Sequence, residues 1–393
     1  MRRRVPVKAP RHGRVRRSAF AGLWVVAASI LATGCEMLFP SPEGIGKPVT
    51  WKDLPGWQND RHAEAWPALI QGCRRLASKA PWDAICDAAG ALPEPGDAQA
   101  RAFFERWFVA HRIAGERGRR DGLITGYYEP LLNGSLAPTS RFRYPIYGRP
   151  DDLLVVDVAE LFPELEGKRV RGRLEGRRVV PYLSREDIDS QRRPLAGSEI
   201  AWVDDPVGLF FLHIQGSGRL RLSDGRSLSV GYADQNGHPY TAVGRVLADM
   251  GEIEIDDVNL FTIRDWLRRH PERAGEVLAR NASYVFFTRR EAAAGAPAGS
   301  LGVPLTAERS IAVDPAAIPL GTPVWLDTTL PGEHPAPYRR LMLAQDTGGA
   351  IKGFVRADVF FGQGERAERL AGTMKQRGRL FALLPARSDG AAQ

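Results

Sequence analysis

The chain has 393 residues and a formal net charge of +8, so it is long enough to bury a sizeable core, and its length predicts two domains. Eight basic residues and no acidic one lie in residues 1–34, and without them the chain is close to neutral. The positive charge therefore belongs to the N-terminus, which argues against nucleic acid as a partner.

Residues 1–34 have the pattern of a signal peptide. A basic segment is followed by an apolar stretch over residues 19–33, too short for a comfortable membrane span, and by small residues before Cys35. This resembles a bacterial lipoprotein signal, in which the cysteine is acylated and becomes the new N-terminus, although Ala32 stands where leucine is usual. Glu36 favours the outer membrane under the sorting rule of enteric bacteria. We expect a periplasmic protein anchored to outer-membrane lipid through acylated Cys35, with ordinary secretion as the alternative.

Residues 35–60 are rich in proline and glycine and are predicted to form an extended tether. Helices are predicted next, over residues 62–79 and 98–114. The second helix carries an aromatic stripe that indicates core packing, and the histidine beside it is interpreted as packed rather than as a ligand. This stripe consists of Phe103, Phe104, Trp107, Phe108 and His111.

Two cysteines remain beyond the leader, Cys73 and Cys86. In an oxidising periplasm they could close a short loop, which would stabilise the fold by about 2–3 kcal/mol. Each could equally be a small buried apolar residue. We favour the bridge.

Short strands dominate from Leu123 to about residue 235. Asp224-Gly225 lies between two strand-like runs and is a strong hairpin signal. The predicted strands cover residues 123–132, 143–147, 153–156, 168–182, 200–203, 208–215, 219–222 and 227–230.

Helices return near residues 241–249 and 262–280, with a break at His270-Pro271. The C-terminal quarter is again mostly strands, at residues 284–288, 310–313, 323–327, 340–345, 357–361 and 379–384, with one helix at 365–376. The predicted fold class is therefore mainly β with flanking helices, built from small barrels or sandwiches.

Three aspartates follow or lie within the hydrophobic runs of this last part: Asp314, Asp346 and Asp358. Such residues could converge at one mouth of a barrel. Neighbouring, partly desolvated carboxylates separate in pKa, so that one can be protonated near neutral pH. A general acid for glycosidic cleavage needs this property.

The motifs around these aspartates resemble the membrane-bound lytic murein transglycosylase A family with its C-terminal three-aspartate domain. The resemblance covers most of the chain beyond the leader, with the motifs in the expected order. They are GYYEP (126–130), YPIYGRP (144–150), FFLHIQGSGRL (210–220), NASYVFF (281–287), AVDPAAIPLGT (312–322), AQDTGGAIKG (344–353), RADVFFGQG (356–364) and AGTMKQRGRLFALLP (371–385).

The resemblance implies a double-psi β-barrel built from two separated pieces of chain, with an inserted second β-domain and a glycan groove between them. The expected organisation is a signal peptide, the tether, a discontinuous barrel, the insert and a disordered tail. Their limits are 1–34, 35–60, 61–135 with 283–385, 136–282 and 386–393.

The resemblance also implies cleavage of the bond between N-acetylmuramic acid and N-acetylglucosamine in peptidoglycan without water, leaving 1,6-anhydro ends. Asp346 is then the single acid and base. Asp314 and Asp358 are supporting carboxylates that raise its pKa or orient sugar hydroxyls, or else ordinary turn residues. No cofactor is expected, and cell-wall synthesis and hydrolysis complexes are candidate partners.

Several residues near these motifs suit a sugar substrate. Amide, hydroxyl and open backbone groups fit neutral sugar hydroxyls, Arg219 fits a lactyl or peptide carboxylate, and Tyr127 offers a flat face, although aromatic residues in strands are more often core. Lys352 contacts substrate or balances the carboxylates. The predicted binding residues are Tyr127, Gln215, Gly216, Ser217, Arg219, Gly348, Gly349 and Lys352.

The same residues bear on three other classes of protein. Asp346-Thr347-Gly348 matches the aspartic-protease tripeptide, but the chain contains no second copy of it. Metal chemistry lacks support because the seven histidines are scattered and form no cluster with cysteine. A barrel that binds peptidoglycan without cleaving it remains the main alternative.

Overall fold

The computed structural model describes residues 43–158, 160–165, 170–290 and 295–386. The predicted signal peptide, Cys35 and all of the predicted tail except Ala386 lie outside these residues. Within the described part, no helix combines the length and apolarity that crossing a bilayer requires.

Strands account for most of the regular structure. They are β1 Gly44–Pro48, β2 Phe108–Ala114, β3 Gly122–Glu129, β4 Leu131–Ser135, β5 Tyr144–Tyr147, β6 Leu154–Val156, β7 Val170–Glu175, β8 Arg178–Pro181, β9 Glu199–Val203, β10 Ser217–Leu222, β11 Ser227–Gln235, β12 Val285–Arg290, β13 Ser310–Val313, β14 Pro323–Thr329, β15 Pro337–Asp346, β16 Arg356–Gln363 and β17 Lys375–Pro385.

The α-helices lie outside the sheets. They are α1 Trp66–Leu76, α2 Trp82–Gly90, α3 Asp97–Trp107, α4 Arg185–Ile188, α5 Pro206–Gln215, α6 Val243–Asp249, α7 Leu260–Arg269, α8 Pro271–Ala279 and α9 Gly364–Thr373. The predicted break at His270-Pro271 is confirmed, since it separates α7 from α8.

The largest sheet closes on itself. Its strand order is β1-β2-β17-β14-β15-β13-β16-β3, and β17 also pairs with β3, so six strands form a closed barrel and β2 and β1 extend from β17. A separate sheet has the order β12-β11-β10-β4-β9-β5, and β6, β7 and β8 form a third. The predicted fold class, mainly β with a barrel and a second β-domain, is confirmed.

The barrel passes directly into the second sheet at the end of β3. Only Pro130 separates β3 from β4, and the Arg219 backbone N–H donates to the Pro130 carbonyl at 2.8 Å where β10 pairs with β4. β4 and β12 both pair within the second sheet. This junction places the start of β10 beside the end of β3. The residue limits that we expect for the two domains stay a prediction.

The predicted tether is wrong for residues 43–60. β1 pairs with β2, the indole of Trp57 packs edge-on against Trp325 at 5.1 Å between ring centroids, and Leu54 is buried. The proline and glycine content favours a tether. The apolar side chains between those residues are nevertheless buried against the barrel, and the free energy gained by this burial exceeds the conformational entropy lost by ordering the segment.

Two element predictions also need correction. The run at residues 208–215 is helix α5 rather than a strand, because Asp205 accepts hydrogen bonds from the first helical N–H groups and Gly216 ends the helix with a φ of +74°. A short apolar run has no periodicity that distinguishes a buried strand from a buried helix. The helix predicted over 98–114 ends at Trp107, and His111 lies in β2.

The cysteines are joined in this structure. Cys73 in α1 and Cys86 in α2 form a disulfide with their Cα atoms 5.5 Å apart, and it links two helices that pack on each other. The bridge is the arrangement that we favoured from the sequence, and it closes a short loop next to the barrel.

Candidate active site

Two of the three aspartates share one row across the barrel. Ala312 of β13 is the register partner of Asp346 on one side and of Asp358 on the other, and Asp358 is in turn paired with Thr125 of β3. Cross-strand partners project to the same face, and each strand spacing is about 4.8 Å, so the two aspartate backbones are about 10 Å apart. Ala312 itself is buried, in one cluster with Tyr127 and Phe360.

Asp346 at the end of β15 is held by four donors. Its Oδ1 accepts from the Ser300 backbone N–H (2.9 Å), the Ser300 hydroxyl (3.0 Å) and the Thr347 backbone N–H (2.9 Å). Among the described residues, its Oδ2 accepts only from the Tyr127 hydroxyl, at 2.8 Å. Because Oδ1 is already saturated, a proton on this carboxyl group belongs on Oδ2. The two oxygens therefore differ: Oδ1 is held in place by three hydrogen bonds, and Oδ2 is the one that can carry a proton.

Burial raises the pKa of both aspartates. For Asp346 the four hydrogen bonds oppose this shift without cancelling it. For Asp358 burial also dominates, Arg356 and the hydroxyl of Thr125 (2.6 Å) oppose it, and the nearby charge of Asp346 raises the pKa further. Both carboxyl groups consequently hold a proton at higher pH than an exposed aspartate does.

Tyr127 contributes its hydroxyl rather than its ring. The residue is 8% exposed, and its ring packs on Phe360 with 5.2 Å between centroids. A sugar ring therefore cannot use the flat face that the sequence suggested. Burial, and then the charge of Asp346, hold the pKa of Tyr127 well above its usual value, so its hydroxyl remains a donor throughout the working range of an enzyme.

Asp314 occupies a different position. Its carboxylate accepts from the backbone N–H groups of Gly353 (2.9 Å) and Ala316 (3.2 Å), and the exposed Lys352 Nζ lies 4.0 Å away. No hydrogen bond joins it to Asp346 within the described residues. Asp314 thus anchors the loop that follows Asp346, and its supporting role for that aspartate stays a prediction.

The predicted binding residues on the second sheet lie next to β3. The Gln215 Oε1 accepts from the Tyr128 backbone N–H at 3.0 Å, which places the end of α5 one residue from Tyr127. Gly216 and Ser217 follow directly, while Gly348 and Gly349 flank the site from the β15 side. Gln215 is thereby placed next to Tyr127, the residue whose hydroxyl donates to Asp346.

Arg219 has partners of its own. Its Nε donates to the buried Glu129 at 3.1 Å, and its Nη2 donates to the Gly295 carbonyl at 2.5 Å. Glu129 also accepts from the Gln363 side chain at 2.5 Å. The guanidinium that the sequence assigned to a substrate carboxylate is therefore already engaged.

Sequence reasoning missed Ser300 and Thr125. Ser300 ends a segment of alanines and glycines, EAAAGAPAGS, which has no polar periodicity or motif, and Thr125 is one polar residue in a strand. The contacts of both depend on barrel closure, so no local pattern could have indicated them. Throughout the described ranges, the site included, no group of three His, Cys, Asp or Glu side chains is arranged to hold a metal ion.

Comparison with known proteins gives a consistent result. The MltA specific insert domain model matches residues 123–288, and the 3D domain model matches residues 309–384. A membrane-bound lytic murein transglycosylase A of Vibrio cholerae serotype O1 is 31% identical over 284 residues, covering 70% of this chain and 68% of that protein.

Solved structures agree with this similarity. The crystal structure of MltA from Neisseria gonorrhoeae is 36% identical with a TM-score of 0.73, covering 88% of this chain and 97% of that one. A membrane-bound lytic murein transglycosylase from Agrobacterium tumefaciens is 33% identical with a TM-score of 0.76, covering 87% and 98%. With its barrel, its second sheet and the paired aspartates in place, this chain belongs to the membrane-bound lytic murein transglycosylase A family.

Proposed function

We propose that the protein is a peptidoglycan lytic transglycosylase that cleaves the N-acetylmuramic acid–N-acetylglucosamine bond without water, with Asp346 as acid and base. The observation that carries this is the asymmetric environment of the Asp346 carboxyl group: Oδ1 accepts three hydrogen bonds, and Oδ2 accepts one, from the Tyr127 hydroxyl. Family membership supports the reaction class.

In the first step the Asp346 Oδ2–H donates its proton to the glycosidic oxygen. The bond from this oxygen to the anomeric carbon of the muramoyl residue breaks, and positive charge develops on that carbon. The raised pKa of Asp346 supplies the proton near neutral pH. Asp358, on the other side of Ala312, stabilises this developing charge when it is ionised.

In the second step the same Oδ2, now a carboxylate oxygen, accepts the proton of the muramoyl C6 hydroxyl. The C6 oxygen bonds to the anomeric carbon and closes the 1,6-anhydro ring, so Asp346 is reprotonated and no water is consumed. One carboxyl group is sufficient because the nucleophile is part of the substrate and is already positioned. The Ser300 and Thr347 donors hold Oδ1 throughout, so the carboxyl group does not rotate.

Substrate binding is assigned to the groups around this carboxyl. The Gln215 side-chain amide and Ser217 hydroxyl bind sugar hydroxyl and acetamido groups, and the open backbone at Gly216, Gly348 and Gly349 lets the glycan approach. Lys352, 67% exposed beside Asp314, is assigned to a substrate carboxylate. The glycan then lies in the groove between the barrel and the second sheet.

The first prediction concerns the products. Digestion of purified sacculi should release muropeptides without reducible muramic ends, because the C6 oxygen replaces water as nucleophile. Borohydride reduction followed by mass spectrometry measures this, with a water-using muramidase as the positive control for reducible ends. Products that take up two hydrogens from borohydride would show that water attacks, and would overturn the mechanism.

The second prediction concerns pH. Asp346 must start protonated, so kcat/KM should fall as pH rises through its pKa. The Tyr127 hydroxyl favours the carboxylate and so lowers this pKa. Tyr127→Phe should therefore move the high-pH fall of the profile to higher pH and cost about tenfold in kcat. Tyr144→Phe, on β5 of the second sheet, is the control. A fall that moves to lower pH would contradict the assignment.

For location, we propose a periplasmic protein held at the outer membrane by an acylated Cys35, with cell-wall synthesis and hydrolysis complexes as partners. The family name and the leader pattern support this. Labelling of intact cells with a tagged fatty acid, compared with a Cys35→Ser variant, tests the anchor.

A further inference from the structure

Residues 295–305 form a folded strap that lies along the end of β15. Within it, the Gly299 backbone N–H donates to the Val303 carbonyl at 3.0 Å, and the Leu305 N–H donates to the Pro297 carbonyl at 2.9 Å. The Leu301 N–H donates to the Gln345 carbonyl at 3.0 Å, which ties the strap to β15. Ser300, with its two hydrogen bonds to Asp346, is part of this strap.

The strap lies in close contact with β15 at Gly299. A Cβ at Gly299 would lie 2.4 Å from the Gln345 carbonyl oxygen, 2.7 Å from a Leu305 methyl group and 3.1 Å from the Asp346 Cβ. Only glycine fits without moving the strap away from β15. The donors of Ser300 therefore reach Asp346 only while the strap keeps this position.

The other end of the strap is held from the second sheet. The Gly295 carbonyl accepts from the Arg219 Nη2 at 2.5 Å. Arg219 is itself held by Glu129, whose side chain is 2% exposed and which also accepts from Gln363 of β16. A guanidinium fixed by a buried carboxylate is a rigid donor, so Gly295 is bound to the junction between the barrel and the second sheet.

We propose that Arg219 is a positioning residue: it holds the strap at Gly295, and through the strap it keeps the Ser300 donors on the Oδ1 of Asp346. The inference rests on the proposed function of Asp346 and deepens it. Arg219 then acts on the rate rather than on the affinity for a substrate carboxylate. Because the strap's donors favour the ionised form of Asp346, loosening it also raises the pKa of that group.

Arg219→Ala should lower kcat about tenfold with little change in KM, and should move the high-pH fall of the rate profile to higher pH. Arg219→Lys, which can donate to Gly295 or Glu129 without the planar fork, should recover part of the loss. Arg221→Ala, two residues further along β10 and exposed, is the matched control and should change neither parameter. Melting temperatures establish that the variants are folded.

A double-mutant cycle of Arg219→Ala with Ser300→Ala tests whether Arg219 acts on Asp346 through the strap. If Arg219 acts through the strap, the loss in the double variant should be smaller than the product of the two single losses. Ser300→Ala already removes the hydroxyl bond to Asp346, and only the backbone N–H bond is left for Arg219 to maintain. Gly299→Ala should reproduce the Arg219→Ala phenotype, with Gly275→Ala in α8, where a Cβ meets open space, as its control. Fully additive losses in the cycle would overturn the inference.

Substrate comparison separates this role from direct recognition. Each variant is assayed on glycan strands with peptide stems and on strands from which an amidase has removed them. Equal loss of kcat on both supports the strap, whereas a rise in KM confined to the peptide-bearing strands would place Arg219 on the substrate and overturn the inference. If Asp346→Asn remained active, the proposed function would fail instead, whatever the cycle showed.

Discussion

Replacing Asp346 with asparagine is expected to reduce the release of soluble muropeptides from purified sacculi by about 10³-fold or more. The amide keeps the shape of the side chain, and its oxygen can still accept from Ser300 and Thr347. It has no acidic proton for the leaving oxygen and cannot accept the C6 hydroxyl proton, so both steps are lost. Pelleting with insoluble sacculi should remain unchanged.

This result also separates an enzyme from a passive binding module. Asp224→Asn, in the exposed turn between β10 and β11, is the matched control and should release muropeptides at the parent rate. If the parent protein pellets with sacculi but releases nothing, the chain is a binding barrel. If the Asp346 variant keeps activity near that of the parent, another residue is the acid.

The largest expected effect on stability is at Asp60. Its carboxylate accepts from Arg309 Nη1 (2.7 Å) and Nη2 (3.0 Å) and from the Leu341 backbone N–H (2.9 Å), all buried. Burial alone would lower the pKa of Arg309, but Asp60 and Glu64 outweigh it and raise it. Asp60→Ala leaves this cation buried with one carboxylate, so the free energy of unfolding should fall by about 3–5 kcal/mol.

Urea unfolding followed by circular dichroism measures this loss. Asp249→Ala, which breaks an exposed pair with Arg245 in α6, should cost no more than about 0.5 kcal/mol and is the control. The comparison bears on function because Asp60 ties the segment before α1 to β15, the strand that ends in Asp346. A loss at Asp60 equal to that at Asp249 would show that the buried pair contributes nothing.

The sequence predicts an element correctly where its signal lies within a few neighbouring residues. The strand at Ser310–Val313 was predicted with its observed limits, the hairpin at Asp224-Gly225 is present, and Asp346 does end a strand. Prediction fails where two structures share one sequence pattern: the apolar run of α5 predicts a strand, and the composition around Trp57 predicts a tether. In both cases tertiary packing and capping outweighed composition.

The sequence by itself indicated the family and the order of its motifs, and it singled out Asp346 as the candidate acid, because these inferences depend on residue types at short spacing. Only the tertiary structure decided what surrounds this carboxyl group. Tyr127 is 219 residues from Asp346 in the chain and Ser300 is 46, yet both donate to the one carboxyl group. Barrel closure brings them together, and no short-range pattern records a contact that exists only once distant strands have paired.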